Sequence, residues 1–327
     1  MKLRKYLPLL RALISIAALV LLLTLYDFKE TFNLVAAMHG AAFIAAVAAF
    51  AATTILFVLK WNLTLPANVG VMGTARGYVA SYFYSLLPTG QMGAELGKVM
   101  TLANHADFTV LTGSVVFDKV AGLLTLAILG ALAWFLAHGA ALWMIVVLSL
   151  VAAGCIVALV CTPFAATILL ASMLPAVARR LLAKLVLLSQ PIARWVKDPI
   201  LLIKVLVLGL AGQACMIAVY VIIARALSID VPLPYFALLV VIANLATLVP
   251  ISLGGVGVRE ASLVGLLTAQ GVRAESAIAL SLTVFAVFLI GAFAGAAVEF
   301  HQLMNAWRRL AARSKTNAVD APSKKKF

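Results

Sequence analysis

Seven ionisable side chains lie within or beside apolar stretches of this 327-residue chain, where a charge is costly. A charged side chain at the centre of a bilayer costs about 2.5–3.5 kcal/mol on insertion scales, so each of these residues needs a partner or water. The candidates for binding a substrate or an ion are Arg76, Glu95, Lys98, Asp118, Lys119, Arg259 and Glu260.

These seven side chains could form a polar cavity that binds a lipid head group or relays a proton. The four bases would attract an anionic phosphate, and the three acids would balance their charge. A structural interpretation stays open beside this one: Glu95 and Glu260 cap broken helices, whose N-termini favour an anion. Asp118 and Lys119 are adjacent on a helix and point in different directions, so both need partners from other elements. The expected pairings are Asp118 with Lys98 or Arg259, and Lys119 with Glu95 or Glu260.

Most of the candidates lie at two places where proline and glycine interrupt an apolar stretch. The two stretches are Val71–Ala106 and Tyr235–Gln270, and neither can be one straight helix. Non-helical backbone at membrane depth is tolerated only where it is buried in protein or lines a cavity, so both breaks point to a shared internal site. The helix-breaking residues are Pro88, Gly90 and Gly93 in the first stretch, and Pro250, Gly254, Gly255 and Gly257 in the second.

The elements that position these residues are predicted to be membrane helices. Hydrophobic residues make up 65% of the chain and charged residues 11%, against about 45–50% and about 25% in soluble domains, which excludes a water-soluble fold. The apolar runs are continuous and lack the alternation of barrel strands, so the fold class is an all-α polytopic membrane protein. The predicted spans are Leu7–Tyr26, Ala41–Leu59, Thr109–Ala137, Leu142 to about Leu169, Ile200–Ile223 and Ser276–Val298.

The positive charges predict the orientation of the chain. Lys and Arg outnumber Asp and Glu by 25 to 11, and they cluster before the first span, at 179–204 and after the last span. This placement is typical of cytoplasmic flanks and does not indicate nucleic-acid binding. We therefore expect a multi-pass protein of the cytoplasmic (inner) membrane, with both termini in the cytoplasm.

An even number of crossings must separate the three basic clusters. This holds with six transmembrane helices if the two broken stretches are re-entrant hairpins that enter from opposite sides. A helix, a hairpin and a helix then occur twice, at about 41–137 and 200–299, as inverted repeats. The alternative is eight transmembrane helices, with each broken stretch crossing fully. Residues 1–305 form a single membrane domain in either arrangement, and 306–327 are predicted to be a disordered basic cytoplasmic tail.

The sequence carries no enzymatic signature. The four histidines do not occur in metalloprotease spacing, the three cysteines have no paired or metal-ligand spacing, and no nucleophile elbow or nucleotide-binding loop is present. We expect no cofactor and no metal. The sequence favours a transporter over an enzyme, and both functions stay open.

Three motifs resemble those of the flippase-like, lysylphosphatidylglycerol synthetase transmembrane-region family of bacterial and archaeal membrane proteins. The segment Pro250-Ile-Ser-Leu-Gly-Gly-Val-Gly-Val-Arg-Glu260 is similar to its most typical motif. Val115-Val-Phe-Asp-Lys-Val-Ala-Gly-Leu-Leu124 resembles its second motif, with Lys119 where the family usually has Arg. Leu87-Pro-Thr-Gly-Gln-Met-Gly-Ala-Glu-Leu-Gly-Lys98 resembles its first, which is usually Gly-Gly-Asp followed by Arg.

The resemblance implies a lipid flippase that moves an anionic phospholipid or a polyprenyl-linked intermediate between leaflets. The chain ends soon after the last span, so it is not expected to be the synthetase. The alternative functions are an intramembrane enzyme or an accessory subunit of lipid-linked glycan and envelope biosynthesis. The expected partners are membrane lipids with an anionic head group, and the sequence leaves open a homodimer or a complex with envelope-biosynthesis proteins.

Overall fold

The computed structural model describes residues 28–87, 90–168, 189–247 and 258–319, and within these ranges the chain forms helices and no strands. Residues 189–196 are also helical. The helices with defined bounds are α1 (Phe28–Ala37), α2 (Gly40–Asn62), α3 (Gly70–Ser85), α4 (Gly90–Leu102), α5 (Phe108–Leu136), α6 (Leu142–Ile168), α7 (Pro199–Ala226), α8 (Leu233–Ala246), α9 (Val258–Thr268) and α10 (Ala274–Val319).

Five segments of the described residues are long and apolar enough to cross a bilayer. They coincide with five of the six predicted spans, whereas the predicted span Leu7–Tyr26 lies outside the described residues. The five segments are Gly40–Asn62, Phe108–Leu136, Leu142–Leu159, Pro199–Ala226 and Ala274–His301.

The first broken stretch forms an antiparallel pair of short helices, α3 and α4. Near the break, Gly97 faces the ring of Tyr84 closely, and near the other end Asn68 donates a hydrogen bond to the carbonyl of His105 at 2.6 Å. Gly90 begins α4 with a φ of +55°, a conformation that glycine adopts without steric cost. The start of α3 and the end of α4, which are the open ends of this pair, therefore lie where α2 ends and α5 begins. Pro88 is outside the described residues.

The second broken stretch supplies α8 and α9, which pack against each other. The break between them, residues 248–257, lies outside the described residues and includes Pro250, Gly254, Gly255 and Gly257. Short links of six residues join α7 to α8, and of five residues join α9 to α10. The open ends of this pair therefore lie where α7 ends and α10 begins.

The two broken stretches open at opposite ends of the bundle. The ring of Trp195, just before α7, lies 5.5 Å from the ring of Phe117 in the first half of α5, so α7 and α5 begin at the same end. The start of α7 is fixed locally, because Asp198 accepts hydrogen bonds from the amides of Ile200 and Leu201 at 3.0 Å. The open ends of the first pair lie at the end of the bundle where α5 and α7 begin. The open ends of the second pair lie at the opposite end, where the 28-residue helix α7 ends.

The packing of the first half is repeated in the second half. The first pair contacts α10 through α3, and the second pair contacts α5 through α8. Helices α2 and α7, which precede the two pairs, pack against each other. The contact of α10 with α3 is close, since a Cβ atom at Gly295 would collide with the carbonyl oxygen of Val79 and lie 3.1 Å from the amide nitrogen of Phe83.

The last helix continues beyond the membrane-length segment as far as Val319. Residues 306–319 are therefore helical, which departs from the predicted disordered tail. The segment is rich in Ala and Arg, which favour helix, and the next proline is Pro322. Residues 320–327 lie outside the described part of the chain.

Candidate functional site

A cavity of about 280 Å³ lies between the two broken stretches, and α2, α3, α4, α5, α7, α8, α9 and α10 all contribute to its wall. Its aromatic and apolar side chains are interrupted by amides and by a set of charges. The charged residues that line it are Lys60, Glu95, Lys98, Asp118, Lys119 and Arg259, and the amides are Gln91, Gln213 and Asn244.

Asp118 is the most enclosed carboxylate of the lining. Its Oδ1 lies 3.0 Å from Lys60 Nζ and its Oδ2 lies 3.3 Å from Lys98 Nζ. All three side chains are at most 7% exposed. Lys60 Nζ also donates a hydrogen bond to the backbone carbonyl of Asp118 at 3.2 Å. A buried charge is tolerated when it is paired and hydrogen-bonded. The Asp118 carboxylate is paired with two ammonium groups from different helices and accepts a hydrogen bond from Lys98.

The helical spacing of α5 explains how Lys60 reaches this position. Gly122 follows Asp118 by one turn and lies on the same face of the helix. A Cβ atom at Gly122 would lie 3.4 Å from Lys60 Nζ, at the edge of van der Waals contact, so glycine at this position leaves room for the ammonium group. The carbonyl of Gly122 accepts a hydrogen bond from Gln213 at 3.2 Å, which ties α5 to α7 at the same level.

Glu95 lies between Lys98 and Lys119 at a more open part of the cavity. Its Oε2 is 3.1 Å from Lys98 Nζ and its Oε1 is 3.6 Å from Lys119 Nζ. Lys119 is 38% exposed and Glu95 23%, unlike the enclosed Asp118. Lys119 donates its hydrogen bond to Gln91 at 3.0 Å. Glu95 and Lys119 thus form a rim that a ligand can reach.

The floor beneath Lys98 is aromatic. Lys98 Nζ lies 4.5 Å from the ring centre of Tyr78 and 5.4 Å from that of Trp61. A ring face attracts a cation when both are removed from water, so these contacts add to the stabilisation by Asp118. The Trp61 ring is itself held in place, because its Nε1 donates a hydrogen bond to Ser114 at 3.1 Å.

The second broken stretch contributes one cation to the wall. In the first turn of α9, Arg259 Nη2 lies 2.6 Å from Glu260 Oε1, and its guanidinium carbon is 4.6 Å from the ring centre of Phe288. Glu260 is 2% exposed and does not line the cavity, whereas Arg259 does. The cavity and its neighbour Glu260 hold four cations against three carboxylates, an excess of one positive charge.

The structure brings five of the seven candidates to the cavity wall and places Glu260 directly behind Arg259. The expected contacts of Asp118 with Lys98 and of Lys119 with Glu95 are both present. Arg76 is exposed on α3 and is not part of the wall. Of the helix-breaking residues, Gly90 and Gly93 are described, and both are buried in α4.

Sequence reasoning missed Lys60 and Glu299. Lys60 stands beside Trp61 at the end of an apolar run, a pattern that is typical of a helix anchored at the membrane surface. Glu299 follows the last predicted span, and in the structure its carboxylate accepts hydrogen bonds at 3.1 Å from Tyr84 and from Thr101. Neither residue stands at a Pro/Gly break, since both continue uninterrupted helices. The only signal in the sequence was a charged residue at the end of an apolar run.

The described side chains contain no group of three His, Cys, Asp or Glu that could hold a metal ion. The groups available for binding a ligand are the cations and amides of the cavity. Helices of membrane length that surround a charged cavity at a junction of broken helices define a polytopic α-helical membrane protein with an internal polar site.

Comparison with known families gives a more particular assignment. The family model "Lysylphosphatidylglycerol synthase TM region" matches residues 9–296, and the chain therefore belongs to this family. The comparisons with curated proteins and with solved structures each return no match.

Proposed function

We propose that this protein moves a lipid with an anionic head group between the two leaflets of the bacterial inner membrane. The observation that carries the proposal is the cavity between the two broken stretches, with its four cations, three of them lysines from α2, α4 and α5. The head group would enter this cavity while the acyl chains stay in the bilayer. Membership of a family named for the membrane region of a lipid synthase supports a lipid as the substrate.

The charges explain why the cavity suits an anion. The enclosed carboxylate Asp118 neutralises the Lys60 side, and Glu260 neutralises Arg259. Lys98 and Lys119 share the partly exposed Glu95, and Lys119, which is 38% exposed, lies at the open part of the cavity. A phosphate that reaches this place meets two ammonium groups at once, and hydrogen bonds between two charged groups are stronger than those between neutral ones.

The proposed mechanism uses the two broken stretches as re-entrant hairpins. At about 1.5 Å per residue, α3 and α4 are about 24 and about 20 Å long, and α8 and α9 are about 21 and about 17 Å long. Each is shorter than the roughly 30 Å hydrocarbon core. The antiparallel fold of α3 on α4 also favours a hairpin over one full crossing of this stretch, in which the two helices would continue in the same direction.

The repeated packing supports an inverted repeat. In transporters with this organisation, the substrate site lies at the repeat interface, and access alternates as one repeat moves against the other. The cavity satisfies the first condition, because both broken stretches line it. We propose that the two halves, about 41–137 and 200–299, open the cavity alternately to the two leaflets, with both termini in the cytoplasm.

Reconstitution into liposomes tests the proposal. Vesicles with fluorescent phosphatidylglycerol in both leaflets would be treated with a membrane-impermeant quencher, and lipid movement would show as loss of the protected half of the signal. We expect the wild type and Lys204→Gln to move the lipid and Lys119→Gln to move it at least tenfold more slowly. Lys204 is the matched control, because it is an exposed lysine on α7 outside the cavity wall.

Two results would contradict the proposal. One is a failure of the wild type to move any anionic phospholipid or polyprenyl phosphate, with or without a proton gradient. The other is a change in the chemical structure of the added lipid, detected by mass spectrometry, which would favour the intramembrane enzyme.

A further inference from the structure

Glu95 differs from the other carboxylates of the cavity in how it is held. Its two neighbouring lysines each donate a hydrogen bond to another residue as well as facing Glu95: Lys98 to Asp118 Oδ2 at 3.3 Å, and Lys119 to Gln91 at 3.0 Å. Glu95 Oε2 accepts no hydrogen bond from the part of the chain that the structure describes. Glu95 is therefore held mainly by the charges of its two lysines, whereas Asp118 accepts a hydrogen bond from Lys98 through Oδ2, and its Oδ1 accepts none within the described residues.

The position of the carboxylate is equally informative. Its two oxygens face two different ammonium groups, Oε2 at 3.1 Å and Oε1 at 3.6 Å. The two unesterified oxygens of a phosphodiester can bridge two cations in the same manner. Glu95 thus occupies the place that an anionic head group would take between Lys98 and Lys119.

We propose that Glu95 is the selectivity residue of the cavity: its carboxylate is an internal competitor that a lipid phosphate must displace from Lys98 and Lys119. This inference rests on the proposed lipid-binding function and adds to it a mechanism for selection and release. The carboxylate has room to leave, because Glu95 is 23% exposed and lies at the rim. The fixed pair of Asp118 with Lys60 stays in place during the exchange.

Displacement of Glu95 has two consequences. An anionic ligand binds more weakly than the two lysines alone would allow, since it must first replace a carboxylate of the same charge. The ligand also leaves more readily, because Glu95 returns to the lysines. A carrier needs both properties, since a head group that is bound too tightly stays in the cavity.

The test compares lipid binding and lipid movement in Glu95→Gln, a nearly isosteric change that removes the negative charge and replaces one accepting oxygen by an NH2 group. The probes are fluorescent phosphatidylglycerol and fluorescent phosphatidylcholine, titrated against the detergent-solubilised full-length protein. We expect Glu95→Gln to bind phosphatidylglycerol about tenfold more tightly, equivalent to about 1.4 kcal/mol. The affinity for phosphatidylcholine should change less, so the ratio of the two affinities should rise.

In liposomes the same variant should reach half-maximal lipid movement at a lower phosphatidylglycerol content and show a lower maximal rate. The matched control is Glu275→Gln, since Glu275 is a carboxylate in the first turn of α10 that contacts Arg273 and does not line the cavity. We expect this control to match the wild type in both assays.

A second variant serves if Glu95→Gln does not fold. Glu95→Asp keeps the charge but is one methylene shorter and cannot contact both lysines, so it should bind phosphatidylglycerol with intermediate affinity. Unchanged or weaker binding of phosphatidylglycerol by whichever variant folds would overturn the inference. If the wild type binds the lipid and Lys119→Gln binds it less tightly, the proposed function survives that result. Absence of anionic lipid binding in the wild type would instead refute the proposed function.

Discussion

Lys60 provides the sharpest test of the charge network around Asp118. The sequence pattern did not reveal a role for this lysine, whereas the structure places its ammonium group 3.0 Å from the Asp118 carboxylate. The change is Lys60→Met, which keeps an unbranched side chain of similar length and removes the charge. It leaves Asp118, whose side chain is 7% exposed, with Lys98 as its remaining cation at 3.3 Å.

The expected magnitude follows from this geometry. Removal of one partner of a buried ion pair costs about 3–5 kcal/mol, because the other charge remains buried. Lys98 compensates in part, so we expect Lys60→Met to lower the free energy of unfolding by about 3 kcal/mol, the lower end of that range. In the double variant Lys60→Met with Asp118→Leu, the uncompensated charge is gone, and the loss should be smaller than in the single variant.

The assay is a denaturant titration of the protein in lipid–detergent micelles, followed by the circular dichroism of its helices. Lys204→Met is the control, because Lys204 is exposed on α7, and such a surface change is expected to stay within about 0.5 kcal/mol. A cost below about 1 kcal/mol for Lys60→Met, or a double variant less stable than the single one, would refute the reasoning about buried pairing.

Two further predictions concern packing and topology. Gly295→Val should separate α10 from α3, because the added atoms would collide with the carbonyl of Val79. We expect the free energy of unfolding to fall by more than about 2 kcal/mol in the same titration. A fall of less than about 0.5 kcal/mol would contradict the close contact. In a chain without its native cysteines, Asn104→Cys should react with an impermeant thiol reagent from the cytoplasm, and Gln270→Cys should react with it from the outside. Gln270 is preferred to Gly271, whose φ of +78° disfavours a side chain. Labelling of both from the same side would contradict the paired re-entrant hairpins.

The spans and the breaks could be predicted because they depend on local properties. A continuous apolar run identifies a membrane helix whatever its neighbours are, and five predicted spans have a counterpart among the described residues. Proline and glycine interrupt a helix locally as well, so the division of Val71–Ala106 into α3 and α4 was visible in the sequence.

The partners of the charges could be predicted only in part. That Asp118 and Lys119 need different partners follows from the helical geometry of adjacent residues, and the sequence supplied Lys98 and Glu95 among the alternatives. The role of Lys60 depends on where the end of α2 meets α5. That contact is set by tertiary packing and by the absence of a side chain at Gly122. The exposure of Arg76 depends on the same packing, since it decides which face of α3 looks away from the cavity.

The central claim is that the head group of a lipid occupies the cavity, and occupation can be measured at a single wall residue. Ser85 lies on the wall at the end of α3, and a cysteine there, in a chain without its native cysteines, would be the sole thiol. The account predicts that phosphatidylglycerol slows modification of Ser85→Cys by a small charged reagent, that phosphatidylcholine slows it less, and that the modified protein no longer moves lipid. Modification that is unaffected by phosphatidylglycerol, or lipid movement that persists in the fully modified protein, would contradict it.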